Sequence, residues 1–379
     1  MAFNTQTHLL FLILFLSIFP LKSLSWSAEE SEKDFKKWLS WNIEDYSRKA
    51  VVGPKSVTRT NGGQRIIDVK LRMAEERRIK VSVSQDGSGD FMSIGEALDS
   101  IPKKNTRRVV LDIKPGVYRE KIVILKSQPF ITFLGDVESP PTITGNDTAS
   151  EVGKDGIPLK TFHSATVAVN ADYFIAANIK FENTAPHPDT GSIGGQAVAV
   201  RISGNKAAFY DCGFYGNQDT LYDHKGLHYF NNCFIQGSVD FIFGYGRSLY
   251  ENCFLNSITK KVASLTAQKR TTASLASGFS FINSVVTGSG MVYLGRAWGD
   301  YSRVVFSYTF MDKVVIPQGW NDWGIQKRDL SVYYGEYKCS GPGANSTGRV
   351  HWARLLTDEE VKPFIGTHYI DGKRWLLGP

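Results

Sequence analysis

Short apolar runs, each broken by Gly, Asn or Asp, follow one another along the chain from about residue 79. Three of them share one pattern of an aromatic residue, polar residues, a cysteine, apolar residues and a turn: FYDCGFYGN, YFNNCFIQG and LYENCFLNS. Their cysteines are Cys212, Cys233 and Cys253, so the pattern repeats after 21 and then 20 residues. Short strands that recur with a period of about 20 residues are typical of a solenoid.

The strand composition favours a parallel β-helix among the solenoids. The runs are rich in aromatic and β-branched residues with Asn at the turns, and the Leu and Asn consensus of a leucine-rich repeat is absent from the sequence. Helix-forming segments between the strands are also missing, which argues against a doubly wound sheet. The sequence therefore predicts an all-β solenoid.

Helical spacing of apolar residues occurs in two segments, residues 32–50 and residues 90–102. A polar stretch that contains two glycines, residues 58–65, separates the first segment from the β-rich part of the chain. We therefore expect a short N-terminal extension that is partly helical, a β domain that begins near residue 79, and a few peripheral helices.

The N-terminus carries the apolar run LLFLILFLSIF, residues 9–19, followed by Pro20 and small residues. The run is short for a membrane span, and this order is typical of a cleaved secretory signal peptide, with a retained signal anchor as the alternative. The expected division is a signal peptide at 1–25, an N-terminal extension at 26–78 and the main domain at 79–379. Two N-glycosylation sequons begin at Asn146 and Asn345, as a secreted glycoprotein would have.

The charge balance points to an anionic partner. Lys and Arg number 44 against 37 for Asp and Glu, which gives a formal net charge of +7 and a pI near 9.0. Nucleic acid, an anionic membrane surface and an acidic polysaccharide would all suit this surplus. The sequence has no basic tract with interleaved aromatic residues beyond RRIK at 77–80, so nucleic acid is disfavoured.

Two lone acidic residues interrupt apolar runs, Asp219 in QDTLY and Asp240 in VDFIF. Asp is disfavoured in strands, and an unpaired carboxylate is costly to bury. A separation of 21 residues would place the two on neighbouring coils, about 4.8 Å apart, and Gln196 and Gln218, 22 residues apart, would stack nearby. Adjacent carboxylates shift each other's pKa values, so that one can serve as an acid while the other stays ionised. A ladder of stacked polar side chains without catalytic function is the alternative.

The adjacency of Gln218 and Asp219 adds a condition, because neighbouring residues of a strand point to opposite faces. Both side chains can serve one site only where the backbone at 217–220 is bulged or turning. Gly216 and Asn217 are compatible with such a turn.

Several segments resemble, in order and spacing, the signature segments of the pectin methylesterases, or pectinesterases. They are QAVAVR from Gln196, GNQDTLY from Gly216, GSVDFIFG from Gly237 and LGRAWGDYSRVVF from Leu294, with TFHSATVAV, PGVYREK and VSQDGSGDF before them. The resemblance runs from about residue 80 to the C-terminus. It implies a right-handed parallel β-helix, secreted to the plant cell wall, that hydrolyses the methyl esters of homogalacturonan and releases methanol. The chain resembles the short form of the family, without an N-terminal inhibitor-like domain.

The resemblance implies a role for each matching residue. Asp240 matches the nucleophile that forms an acyl-enzyme, and Asp219 matches the general acid that protonates methanol and then activates water. Gln218 and Gln196 match the amide donors that stabilise the oxyanion. Arg296 matches the residue that orients the nucleophile with its planar guanidinium.

Two further positions match substrate contacts. Trp298 would provide an apolar platform for a sugar ring, and Thr161 would contact the substrate. The implied chemistry needs no metal or organic cofactor. The chain departs from the family in Ala297, where many members have Pro, and in Asn217, where an aromatic residue is common.

The cysteines allow more than one disulfide. The period alone permits either Cys212–Cys233 or Cys233–Cys253, since stacked positions lie within bonding range. In the family a cysteine pair recurs 7 residues before and 13 after the nucleophile, which implies Cys233–Cys253. Cys212 would then be a buried thiol, and Cys339 has no assigned partner.

The expected partners are methyl-esterified pectin and a proteinaceous pectinesterase inhibitor, with no nucleic acid, no membrane after signal cleavage, and a monomeric state. The alternative functions are a catalytically inactive pectin-binding solenoid and a pectin depolymerase. The Gly-His-Gly segment of a polygalacturonase and an acidic cluster for the Ca²⁺ of a lyase are both absent from the sequence.

Overall fold

The computed structural model describes residues 67–187 and 193–379. The predicted signal peptide and the predicted helix at 32–50 lie outside the described residues. No helix within the described ranges has the length and apolar character that a bilayer crossing requires. The helices of these ranges are few and short: α1 (Val69–Glu75), α2 (Ile94–Asp99), α3 (Lys160–His163), α4 (Asp358–Val361) and the 3₁₀ helices Gln326–Leu330, Pro342–Ala344, Thr367–Ile370 and Gly372–Arg374.

Parallel strands wind into a right-handed β-helix with three faces, which confirms the predicted fold class. Face A is an eleven-stranded sheet: β1 (Ile79–Val83), β2 (Val109–Ile113), β5 (Ile131–Gly135), β8 (Ile175–Ala177), β11 (Ala207–Tyr210), β14 (Leu227–Asn231), β17 (Arg247–Glu251), β19 (Gly278–Ile282), β21 (Arg303–Ser307), β24 (Tyr333–Tyr337) and β25 (Arg354–Leu355).

Faces B and C are joined into one sheet by two long strands that run through both, β18 (Phe254–Gln268) and β20 (Val285–Ala297). Face B also contains β3 (Val117–Arg119), β6 (Thr142–Gly145), β9 (Lys180–Asn183), β12 (Gly213–Tyr215), β15 (Phe234–Gly237) and β22 (Phe310–Met311). Face C also contains β4 (Ile122–Ile124), β7 (Val167–Val169), β10 (Val200–Ile202), β13 (Leu221–Asp223), β16 (Ile242–Gly244) and β23 (Trp320–Asn321).

Stacked aromatic rings fill part of the interior against face A. Phe209, Phe230, Tyr250, Phe281 and Phe306 pair in register on successive strands. Their ring centroids are 5.0, 4.4, 4.5 and 4.4 Å apart along this series, with near-parallel planes. These separations match the spacing of neighbouring strands, so equivalent residues of the repeat pack on one another and form a continuous core.

A left-handed residue ends most strands of face A and turns the chain toward face B. Asn and Asp adopt this conformation more readily than other residues with a Cβ. The residues with positive φ at this corner include Asn178 (55°), Asp211 (53°), Asn232 (55°), Asn252 (57°) and Asn283 (50°). The recurring Asn of the sequence pattern therefore marks the same corner in each coil.

The three cysteines of the pattern follow this corner and stack inside the β-helix. Gly213 pairs with Phe234 and Phe234 with Phe254, so the preceding cysteines lie on consecutive coils, as the period predicts. All four cysteines of the chain are free thiols here, so the Cys233–Cys253 disulfide is not formed in this structure. The thiols instead approach backbone carbonyl oxygens, that of Cys233 at 3.6 Å from Phe209 and that of Cys253 at 3.7 Å from Phe230.

Helix α2 covers the N-terminal end of the core. Its cap is Ser93, whose hydroxyl oxygen accepts the Glu96 N–H at 3.2 Å. The Glu120 carboxylate accepts two further free N–H groups of the first turn, those of Ile94 (3.0 Å) and Gly95 (2.8 Å). The apolar side of the helix is buried against the first coil.

The C-terminal segment crosses the outer surface of face A. Phe364, Ile370 and Trp375 are buried there together with Leu71 and Ala74 of helix α1. Helix α1 lies within the predicted N-terminal extension, but this packing attaches it to the β-helix. Its seven residues are too few to show a helical period in the sequence.

Candidate active site

Parallel register arranges the outer surface of face C in rows. The first row consists of residues that pair from strand to strand: Val123, Ala168, Arg201, Tyr222, Phe243, Ala267, Arg296 and Asn321. The second row consists of residues two positions further on, just after the strands end: Ser203, His224, Tyr245, Lys269 and Trp298. The two rows form one side of a groove.

Asp219 and Asp240 stand just before β13 and β16, on neighbouring coils beside the first row. Gln218 pairs with Val239 in a parallel bridge, and the Asp219 N–H donates to the Val239 carbonyl oxygen at 3.0 Å. Both Asp residues are buried, with 8% and 5% of their surface exposed. The structure thus brings together the two carboxylates that the 21-residue spacing singles out.

Both Asp residues adopt left-handed backbone conformations, with φ of 65° at Asp219 and 48° at Asp240. This conformation costs on the order of 1 kcal/mol in a residue with a Cβ and occurs often at functional sites. At Asp219 it supplies the turn that Gln218 and Asp219 need to serve one site. The Asn217 side-chain amide supports the turn by donating to the Ala185 carbonyl oxygen at 2.8 Å.

Arg296 grips the Asp240 carboxylate from two coils away. Its Nε lies 2.8 Å from Oδ1 and 3.1 Å from Oδ2, and a terminal guanidinium nitrogen also donates to Oδ2. The other side of the guanidinium lies over the Trp323 ring, 3.7 Å from its centroid. Sequence reasoning missed Trp323, which lies in a loop after β23 and outside the repeats. The carboxylate and the indole together restrict the orientation of Arg296.

The two carboxyl groups differ in their electrostatic surroundings. Burial first, and then the charge of Asp240, raise the pKa of Asp219 well above its usual range, and Arg296 offsets only part of this. Burial also raises the pKa of Asp240, but the hydrogen bonds and charge of Arg296 oppose the rise. Asp240 is therefore the group that ionises first and Asp219 the one that retains its proton. The sequence predicts like-charge repulsion as the cause, whereas burial is the larger one.

Gln196 and Gln218 flank the carboxylates on adjacent coils and are both half-buried. They are offset by one residue, because the N–H of Ala197, rather than of Gln196, donates to the Gln218 carbonyl oxygen at 3.1 Å. Within the described ranges, neither side-chain amide makes a hydrogen bond with another residue of the protein. Both amides are therefore available as donors to a bound group.

Aromatic side chains cover the first and second rows. Tyr222 and Phe243 stack with centroids 4.3 Å apart, and Trp298 lies 6.1 Å from Phe243. Phe162 of helix α3 adds to this surface and lies over the Arg201 guanidinium at 3.7 Å. Tyr222 and Phe243 each follow a buried Asp by three residues, so the same spacing that identifies the carboxylates could have identified them.

Thr161 and Trp298 occupy opposite ends of this surface, and both are half-buried. Thr161 lies in helix α3, where its carbonyl oxygen accepts the Ser164 hydroxyl at 3.0 Å. One side of the Trp298 ring is covered by the Lys269 ammonium group, 3.8 Å from the centroid. A sugar ring could therefore use only the other side of Trp298. Elsewhere on the surface, Asn146 and Asn345 are both exposed.

Comparison with known proteins identifies the chain as a carboxylic ester hydrolase. A family model described as Pectinesterase matches residues 80–373. Pectinesterase QRT1 of Arabidopsis thaliana is 45% identical over 302 residues, which cover 79% of each chain. Pectinesterase 31 of the same plant is 42% identical over 314 residues, which cover 80% of this chain and 96% of that one. The chain therefore belongs to the pectinesterase family.

Solved structures show the same fold. The pectin methylesterase from carrot matches with a TM-score of 0.70 and 35% sequence identity, over 78% of this chain and 94% of that chain. Pectin methylesterase PemA from Erwinia chrysanthemi matches with a TM-score of 0.67 and 27% identity, over 79% and 98%. The parallel β-helix is thus shared across plant and bacterial members.

Proposed function

We propose that this protein removes methyl esters from homogalacturonan pectin, releasing methanol and leaving free galacturonate carboxylates. The observation that carries the proposal is the buried Asp219–Asp240 pair with Arg296 bound to only one of its members. Membership of the pectinesterase family supports the ester-hydrolase chemistry. A pectin methylesterase of the same fold has been solved in complex with a hexasaccharide, which supports an oligosaccharide as the ligand.

In the first step, an Asp240 carboxylate oxygen attacks the C6 ester carbonyl carbon. The bond from this carbon to the methoxy oxygen breaks, and that oxygen takes the proton of Asp219 and leaves as methanol. The sugar is then joined to Asp240 as an acyl-enzyme. The amides of Gln196 and Gln218 donate hydrogen bonds to the carbonyl oxygen while it carries negative charge.

In the second step, the Asp219 carboxylate accepts a proton from water, and the resulting hydroxide attacks the acyl carbon. The bond to Asp240 breaks, which restores both Asp residues and yields a free carboxylic acid. Arg296 keeps Asp240 ionised and directed during both steps, because two of its nitrogen atoms contact the carboxylate. Thr161 and the aromatic surface, including Trp298, hold the polysaccharide across the site.

The setting of this activity follows from the expectations for the chain. The protein acts outside the cell, in the plant cell wall, after loss of the signal peptide at 1–25. Exposure of Asn146 and Asn345 is what attachment of N-glycans requires. The formal net charge of +7 favours retention on demethylated pectin, which is a polyanion. A proteinaceous inhibitor would bind over the same groove.

The test is incubation of the purified full-length protein with highly methyl-esterified homogalacturonan. We expect methanol release without a fall in chain length, and no methanol from the Asp240→Asn variant. A falling chain length would indicate a depolymerase instead. Binding of the polysaccharide with neither reaction would indicate a catalytically inactive binding protein.

A further inference from the structure

Lys269 has an unusual position on the second row of face C. It directly follows β18, and its ammonium group lies 3.8 Å from the ring centroid of Trp298 and 5.6 Å from that of Tyr245. The side chain is half-buried, and burial lowers the pKa of the ammonium group. In the part of the chain that the structure describes, its ammonium has no carboxylate partner and donates no hydrogen bond.

Other buried or half-buried cations of this surface do have polar partners. Arg201 donates to the Asn170 side chain at 3.1 Å, Arg296 binds Asp240, and Arg328 donates to Asp300 at 2.9 Å. A partly buried cation without a partner is unfavourable, because it has lost water and received no anion in return. The position of Lys269 therefore suits an anionic group brought by the ligand.

The distance from the catalytic pair decides which part of the ligand this is. The Asp240 N–H donates to the Ser264 carbonyl oxygen at 2.7 Å, and Lys269 lies five residues after Ser264 on the same coil. At about 3.3 Å per residue, roughly 15 Å of extended chain separates Lys269 from the carboxylates. Lys269 therefore cannot contact the ester that reacts, but it can contact a different sugar of the same polysaccharide.

We propose that Lys269 binds the free carboxylate of a galacturonate unit away from the reacting ester, so that the enzyme prefers partly demethylated pectin. The inference rests on the proposed esterase function. A carboxylate accepts a charge-assisted hydrogen bond from the ammonium group, whereas a methyl ester offers only a neutral carbonyl oxygen. Each turnover creates such a carboxylate, so the product of one reaction improves binding for a later one on the same chain.

The experiment measures methanol release by the parent enzyme and by Lys269→Met on two substrates, almost fully methylated and half-methylated homogalacturonan. Met keeps the apolar stem over Trp298 and removes the charge. We expect KM of Lys269→Met for the half-methylated substrate to rise about three- to tenfold, with a smaller rise for the fully methylated one. Lys269→Arg should keep the preference, and Lys103→Met, an exposed lysine near helix α2, should change neither KM.

The outcomes separate this inference from the proposed function. No methanol from the parent enzyme would overturn the esterase function itself. An active parent with equal changes in KM on both substrates, or with none, would overturn the role of Lys269 and leave the esterase function standing. A salt titration of the parent tests the same point without a variant, since added salt should weaken binding of the half-methylated substrate more. Equal salt dependence on both substrates would also overturn the inference.

Discussion

At the scale of single residues, Asp219 and Asp240 are chemically identical and share a left-handed backbone, yet their surroundings divide the work between them. Arg296 binds only Asp240, while Asp219 is buried beside a negative charge. The difference depends on one guanidinium group and on burial, so substitutions of single atoms test it well.

Asp240→Asn replaces one carboxylate oxygen by an amide nitrogen and keeps the shape of the side chain. Methanol release should fall at least about a thousandfold, because the nucleophile is lost. The fold should remain intact, since Arg296 is 30% exposed and can be solvated by water. Steady-state methanol assays and circular dichroism check both parts. Near-normal activity in the folded variant would contradict the assignment of Asp240 as nucleophile.

Asp219→Asn should raise stability at neutral pH. The pKa of Asp219 is raised in the folded protein above its unfolded value of about 3.9, so the folded state retains a proton that the unfolded chain loses. The stability that this group supplies is complete below about pH 4 and is lost as pH rises through the folded pKa. Because Asn cannot ionise, the variant should match the parent near pH 4 and exceed it by about 1 kcal/mol at pH 7.

Thermal unfolding at the two pH values measures this difference. The same variant should release methanol very slowly, for want of an acid. A variant that is less stable than the parent at neutral pH, or a difference that does not change with pH, would show that burial does not hold the proton on Asp219.

Arg296→Lys conserves the positive charge but should reduce kcat by about ten- to a hundredfold. A compact ammonium group cannot contact both carboxylate oxygens in one plane, and it also loses the flat contact with Trp323. KM should change much less, because the arginine acts on the nucleophile. Full steady-state kinetics test the prediction, and activity within about twofold of the parent would contradict it.

At the scale of elements, the coil is the unit that the sequence predicts well. A repeat of 21 and 20 residues with Asn at one corner and Cys after it corresponds to successive strands of faces A and B. The prediction succeeds because strands stack at one fixed spacing, so equal positions in the repeat become neighbours.

The same reasoning fails where coils differ in length. Gln196 and Gln218 are 22 residues apart, but the register of β10 and β13 is 21. From Asp240 the chain needs 24 residues to reach Ser264 and 29 more to reach Tyr293, the next residue in line. No constant period could therefore have placed Arg296 against Asp240, and only the family resemblance indicated it. Trp323 lies in a loop that carries no repeat at all.

The corner residues allow an element-scale prediction. Asn252 is exposed, has φ of 57°, and uses its N–H for the Ile282 carbonyl oxygen. Asn252→Ala should destabilise the protein by about 1 kcal/mol, because Ala is strained in the left-handed conformation. Asn252→Gly is the matched control and should remain within a few tenths of a kcal/mol of the parent. Chemical denaturation compares the two, and equal losses would show that the side chain, rather than the backbone, matters at this corner.

At the scale of the whole molecule, the C-terminal segment joins the ends of the described chain. Trp375 is 3% exposed, donates its indole N–H to the Ile370 carbonyl oxygen at 2.7 Å, and packs in one cluster with Leu71 of helix α1. Contacts between residues some 300 positions apart leave no local pattern, so sequence reasoning could predict neither helix α1 nor the path of this segment.

Trp375→Ala should therefore lower the free energy of unfolding by about 3–5 kcal/mol. The active site lies on face C and the segment on face A, so kcat of the folded fraction should be unchanged. Thermal unfolding and methanol release measure the two quantities. Leu330→Ala is the control, because Leu330 is 93% exposed and should affect neither. An unchanged melting temperature for Trp375→Ala would mean that the segment contributes little to stability.

The covered ends of the β-helix have a consequence for association. A sheet that ends in β1 on one side and β25 on the other presents backbone groups that another molecule could pair with. Helix α2 packs against β1, β2 and β4 at one end, and Trp352 packs near Tyr334 at the other, with ring centroids 5.9 Å apart. These elements act as stoppers against head-to-tail polymerisation. A chain that lost helix α2 would expose a template of fixed strand spacing, and its molecules would join end to end into fibres.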